Sequence, residues 1–189
     1  VKRSEIVTVP NFVTLARLAT LPWFVVLLAD DRVVAASFVL GFLGATDWVD
    51  GYLARRLNQV SEIGAVLDPV ADRLVFFVGV TSALIHDGIP MWFGLAILVR
   101  EGFVALMMVF GTARGMERFP VTTNGKRATF ALLWAVPWIL IGTAGGPWVF
   151  FQVCGWCIGL PGLVLSYVTA VQYVTLVRAH LRRGDYRKA

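Results

Sequence analysis

Long apolar runs, each closed off by charged residues or by Pro and Gly, alternate with short polar breaks along the chain, and six of them read as membrane spans. The first extends from about Phe12 to Ala29, after Pro10-Asn11, and the second from Val33 to about Leu53, after Asp30-Asp31-Arg32. The third follows Asp68-Pro69 and ends near Ile85; the fourth covers about Pro90 to Thr112. The fifth runs from about Ala128 to Gly142 and the sixth from about Trp148 to Val177. Each is expected to be a helix, because an open strand cannot satisfy its backbone in lipid. About 20 apolar residues at a rise of about 1.5 Å cross the hydrocarbon core. The fifth run is short for that distance and the sixth long, which predicts tilt or a shifted boundary. The expected organisation is an interfacial segment over 1–11, an all-α six-helix transmembrane domain over 12–177 and a basic tail over 178–189.

Composition excludes the alternatives. Of 189 residues, 58% are hydrophobic and 15% charged, with a mean hydropathy of +0.73. A soluble domain covers its surface with charged groups at about a quarter of its sequence. Two cysteines do not make a disulfide-stapled scaffold, and the apolar content excludes disorder. Lys2 and Arg3 lead into polar residues and Pro10, so no cleavable signal peptide is evident.

The net charge of +5 acquires meaning from its placement. Lys2 and Arg3 precede the first span, and Arg55 and Arg56 end the second. Arg114, Arg118, Lys126 and Arg127 separate the fourth from the fifth, and Arg178, Arg182, Arg183, Arg187 and Lys188 follow the sixth. Six spans put all these clusters on one side, opposite Arg32, Asp30, Asp31 and Asp87. The positive-inside rule makes the basic side cytoplasmic, with both termini there. The tail then reads as an anchor on anionic lipid; no soluble domain remains to bind nucleic acid.

Four carboxylates sit where lipid should exclude them. Asp47 and Asp50 lie near the end of the second span, and Asp68 and Asp72 begin the third. A charge at the centre of a span costs at least about 2.5 to 3.5 kcal/mol, so a compensating partner is expected. Spacings of three and four residues put each pair on one helix face. Antiparallel neighbouring helices would turn both pairs towards one cavity. Such a cluster would take up protons unless cations offset it. Oxygen ligands without Cys or His select a hard divalent ion, Mg2+ or Mn2+, with Ca2+ as a competitor. Two such ions commonly serve an in-line phosphoryl displacement. The bland alternative makes Asp47 or Asp68 a helix cap paired with Arg55, Arg56 or Arg73, with Pro69 at the first helical position. A different class, a cation transporter, would place its carboxylates near the midplane rather than beside arginines at one end.

Gly51 and Ala54 leave a strip of helix nearly bare, Arg55 can bind phosphate oxygens in bidentate fashion, and Gly64 leaves space before Asp68. Close helix packing is the other use of such small residues. The string Asp47-Trp48-Val49-Asp50-Gly51-Tyr52-Leu53-Ala54-Arg55, then Gly64, Asp68 and Asp72 at fixed gaps, resembles the signature of the CDP-alcohol phosphotransferases at all eight defining positions. Pro10-Asn11 with Thr14 and Arg17 resembles the start of the first span in bacterial members.

That resemblance implies an enzyme of the bacterial cytoplasmic membrane that displaces CMP from CDP-diacylglycerol by an alcohol, with divalent metal. Asp47, Asp50, Asp68 and Asp72 would hold Mg2+ or Mn2+, and Asp72 would also act as general base. Asn11, Thr14, Gly51, Ala54, Arg55 and Gly64 would bind the CDP-lipid. The longer string from Thr46 to Asp72 and the pair Arg100-Glu101 resemble bacterial phosphatidylglycerophosphate synthases, which makes glycerol 3-phosphate the leading acceptor. Pro120-Val121, Gly125-Lys126 and Ala128-Thr129-Phe130 resemble actinobacterial members proposed as cardiolipin synthases, whose acceptor is phosphatidylglycerol; inositol phosphate is a further option. Any of these needs a cationic pocket, for which Arg100, Arg114, Arg118, Lys126 and Arg127 are available. The family implies a homodimer as well. Gly155 and Gly159 could pack the bundle or such a dimer, and Cys154 and Cys157 read as small apolar residues rather than a redox pair.

Overall fold

A computed structural model describes residues 9–57, 62–114 and 122–185, and these are helical apart from short turns. Six α-helices follow in order: α1 Val9–Ala29, α2 Val33–Leu57, α3 Glu62–Ile85, α4 Met91–Ala113, α5 Thr123–Gly142 and α6 Val149–Asp185. A 3-10 turn, Gly146–Trp148, leads into α6. Asn11–Ala29, Met91–Ala113 and Gly146–Thr175 are long and apolar enough to cross a membrane, and Val33–Thr46 is a shorter apolar stretch. The chain is a membrane protein with apolar spans.

Two boundaries differ from the sequence reading. Helix α3 begins at Glu62, so Asp68 and Pro69 lie inside it and Asp68 is no N-terminal cap. Helix α5 begins at Thr123, five residues before the apolar run, because Thr122 caps it by accepting a hydrogen bond from Gly125 N at 3.1 Å. That extra turn gives the short fifth run 20 helical residues.

Helix α1 shows how the sequence chooses its inner face. Asn11, Thr14, Arg17, Leu21, Phe24 and Leu28 recur at three- and four-residue steps and are all buried, while Phe12, Leu15, Trp23 and Val26 point outward. The stripe is polar at its start and apolar further on. Phe24 and Leu28 join Leu40, Val80, Phe93, Ile97, Leu132 and Ile139 in the main core, and Leu21 packs in a smaller cluster with Leu43 and Val75.

The connections at one end are tight. After α1, Arg32 N donates to Leu27 O at 2.8 Å and Asp31 N to Leu28 O at 3.0 Å. After α3, Gly88 N donates to Ala83 O at 2.8 Å and Asp87 N to Leu84 O at 3.2 Å. Both are Schellman closures with aspartate in the left-handed position, at φ 56° for Asp31 and 52° for Asp87. Asp tolerates that conformation better than most residues.

Helices α5 and α6 pack with almost no gap. A Cβ on Gly155 would lie 2.9 Å from Ile139 N and 3.1 Å from Ala135 O, and one on Gly159 would lie 3.0 Å from Ala135 Cβ. The two small residues are thus used inside the bundle, and their spacing carries no evidence for a dimer. Cys154 and Cys157 are free thiols, the latter exposed on the outer surface.

Candidate active site

A cavity of about 490 Å³ opens among the helices, and its wall combines apolar side chains with a band of charge. Helix α1 contributes Arg17, α3 Asp72 and Arg73, α4 Arg100 and Glu101, α5 Lys126, and α6 Tyr173. Phe76, Phe77, Val104, Met108, Phe130 and Leu133 form much of the remainder. Four cations face two carboxylates among these lining residues, so the band favours an anionic occupant.

Asp72 is the one signature aspartate whose side chain is described. Its Oδ1 lies 2.8 Å from Arg17 Nη2, with the Arg17 side chain 2% exposed and that of Asp72 40%. The pair therefore joins a buried guanidinium on α1 to a carboxylate at the cavity edge. Asp72 is also one helical turn beyond Asp68 on α3.

A second ionic group crosses three helices. Glu101 pairs with Arg100 through Oε1 and accepts from Arg73 Nη1 through Oε2 at 3.2 Å. Arg100 is buried, and its other nitrogens donate to α6: Nε to Ser166 O at 3.2 Å and Nη2 to Thr169 Oγ1 at 3.3 Å. All three guanidinium nitrogens of Arg100 have partners. Arg73 Nη2 instead contacts Met108 Sδ at 3.3 Å, a weak acceptor.

The α5 side of the cavity is held by Tyr173, whose OH accepts from Thr122 N at 3.3 Å. A Cβ on Gly125 would lie 2.5 Å from that hydroxyl oxygen, so the glycine lets the α5 start approach Tyr173.

The other expected site residues distribute unevenly. Asn11 and Thr14 are buried on the Arg17 face of α1. The side chains of Asp47, Asp50, Gly51, Ala54, Arg55, Gly64 and Asp68, and all of Arg118, lie outside the described residues. Arg114 sits with Cζ 4.7 Å above the Phe110 ring and, like exposed Arg127, is not on the cavity wall. Lys126 is on it. Arg17, Arg73, Glu101 and Tyr173 are wall residues to which sequence reasoning gave no role at the site. Arg17 stands with Asn11 and Thr14 in the string that opens the first span, at three-residue steps within an apolar run, and that spacing is the sequence signal for a place at the site.

The family model for CDP-alcohol phosphatidyltransferase matches residues 7–177. The chain belongs to that family. Among its relatives, a Mycobacterium tuberculosis protein named provisionally as a cardiolipin synthase is 38% identical, over 93% of this chain and 87% of its own. The cardiolipin synthase (CMP-forming) of Streptomyces coelicolor is 34% identical, over 96% and 88%. The CDP-diacylglycerol–glycerol-3-phosphate 3-phosphatidyltransferase of Pseudomonas fluorescens is 36% identical, over 95% and 94%. A CDP-alcohol phosphatidyltransferase takes a CDP-linked donor and an alcohol acceptor, so the cavity is the natural candidate for its site.

Proposed function

We propose that this phosphatidyltransferase moves the phosphatidyl group of CDP-diacylglycerol to phosphatidylglycerol, releasing CMP and forming cardiolipin. This replaces glycerol 3-phosphate, the acceptor favoured by the sequence, because the relatives named as cardiolipin synthases include the one with 38% identity. The observation that carries the reading is the cavity itself: Asp72 stands at the edge of a band of bases within a mainly apolar wall. Such a wall suits a lipid whose phosphate is anionic. Glycerol 3-phosphate remains the second reading, supported by the Pseudomonas relative at 36% identity.

All six helices would cross the membrane, with both termini and the site on the cytoplasmic side, where the basic loops lie. Mg2+ or Mn2+ would be held by Asp47, Asp50, Asp68 and Asp72, a set of hard oxygen donors spaced three and four residues apart on α2 and α3. The metals would offset the diphosphate charge and stabilise departing CMP. Gly51, Ala54, Arg55 and Gly64, with Asn11 and Thr14, would bind the CDP-lipid.

Asp72 would receive the proton of the acceptor hydroxyl as that oxygen bonds to the lipid-bearing phosphorus. The bond from phosphorus to the CMP oxygen breaks in the same displacement, and the electron pair leaves with CMP. Arg17, fixed by burial on α1, would hold Asp72 in the orientation this transfer needs.

Purified protein with CDP-diacylglycerol, Mg2+ or Mn2+, and either acceptor tests the reading. CMP and cardiolipin are expected with phosphatidylglycerol, and neither after chelation of the metal. Release of CMP only with glycerol 3-phosphate would overturn the assignment of the acceptor.

A further inference from the structure

We propose that Arg73 binds the phosphate of the acceptor, with Met108 and Glu101 holding its guanidinium ready on the cavity wall. The inference rests on the phosphatidyltransferase reading above and adds a binding residue to it.

Two arginines on the wall meet the same carboxylate, yet their situations differ. Arg100 is 3% exposed and spends its three nitrogens on Glu101, Ser166 O and Thr169 Oγ1. Drawing it onto a ligand would strip α6 of two buried hydrogen bonds. Arg73 is 36% exposed and gives Nη1 to Glu101 and Nη2 to a thioether. A thioether is among the weakest acceptors in a protein, whereas a phosphate oxygen forms a charge-assisted bond. Exchange of Met108 Sδ for phosphate at Nη2 is therefore favourable, and the Glu101 contact can persist. Arg100 acts as the tether that keeps Glu101, and through it Arg73, in place.

Position selects the acceptor over the donor. Arg73 directly follows Asp72, the base proposed to meet the acceptor hydroxyl, and the cavity beside it takes residues from α4, α5 and α6 as well as Arg17 of α1 and Leu43 and Gly44 of α2. The signature residues proposed for the CDP-lipid lie on α1, on the second half of α2 and in the first turns of α3. Phe76, Val104 and Met108 around Arg73 offer apolar surface to the remainder of a lipid acceptor.

Binding of short-chain phosphatidylglycerol and of glycerol 3-phosphate to the detergent-solubilised protein, without donor, should be compared with steady-state constants for each substrate. Arg73→Gln should raise the Kd and KM of the acceptor that the native enzyme uses by about tenfold or more, with the donor KM within about twofold. Arg73→Lys, which keeps the charge but loses the fork, should fall between. Arg32→Gln, in the opposite turn, should change neither. Unchanged acceptor binding in Arg73→Gln, or a loss confined to the donor KM, would overturn the proposal. If the glutamine variant does not fold, native-like acceptor binding by Arg73→Lys would overturn it equally. Absence of turnover by native protein with both acceptors would instead remove the reaction assignment, while the binding measurement still judges Arg73.

Discussion

Replacing Glu101 with Gln removes the carboxylate shared by two arginines, and the two sides of that pair should respond unequally. Arg100 is 3% exposed, so it would be left as a buried cation with only Ser166 O and Thr169 Oγ1. Loss of one partner from a buried ion pair costs about 3 to 5 kcal/mol. Arg73 is 36% exposed, and water can take over its lost contact, so its share is about 0 to 1 kcal/mol. The glutamine oxygen can still accept one hydrogen bond, which places the total near the lower end, about 3 kcal/mol. For a chain of 189 residues, each kcal/mol corresponds to about 2 to 4 °C in Tm. Glu101→Gln should therefore lower the Tm of the detergent-solubilised protein by about 6 to 12 °C. Arg73→Gln should lower it by no more than about 4 °C. The double change Arg100→Met with Glu101→Leu should recover at least half of the Glu101→Gln loss, because it removes the buried cation with its partner. A Glu101→Gln shift below about 2 °C, or a double variant no better than the single one, would show that Arg100 is not held by this carboxylate.

Two further outcomes follow from the same geometry. Asp72→Asn should abolish CMP release while leaving binding of CDP-diacylglycerol largely intact, as read by turnover and donor titration; normal turnover would remove Asp72 from the base role. Gly155→Ala should destabilise the protein by about 1 to 3 kcal/mol, because the new methyl meets backbone atoms of α5 that cannot swing aside. Thermal unfolding would measure it, and an unshifted Tm would contradict the close α5–α6 approach.

Much of this molecule is legible in its residues because lipid leaves so few choices. All six apolar runs became helices, and Asp72 lines the cavity, while the side chains of Asp47, Asp50 and Asp68 lie outside the described residues. The helix starts were the weak point. Thr123 to Arg127 look like a polar loop, yet Thr122 caps them into a helix. Glu62 to Leu67 precede a proline that suggested a beginning rather than an interior. The ionic group was hidden for another reason. Arg100 and Glu101 are visible as neighbours, but Arg73, Ser166 and Thr169 join them only through the packing of α3 and α6 against α4. No periodicity within one helix contains that information.

The length of α6 has a consequence for how the protein sits at its work surface. Its 37 residues make a rod of about 55 Å, and a tilt of about 20° shortens the projection on the membrane normal only to about 52 Å. The hydrocarbon layer is about 30 Å thick, and about 40 to 45 Å with headgroups. The rod thus outruns the oil on geometry alone, and Arg178, Arg182 and Arg183 follow Val177, the last buried residue among those whose side chains are described. The same rod carries Tyr173 into the cavity wall and Thr169 to the Arg100 guanidinium behind it. With the termini at the cytoplasmic face, as proposed above, one continuous helix would work as a ruler: the depth at which its bases met an anionic layer would also set the depth of the cavity.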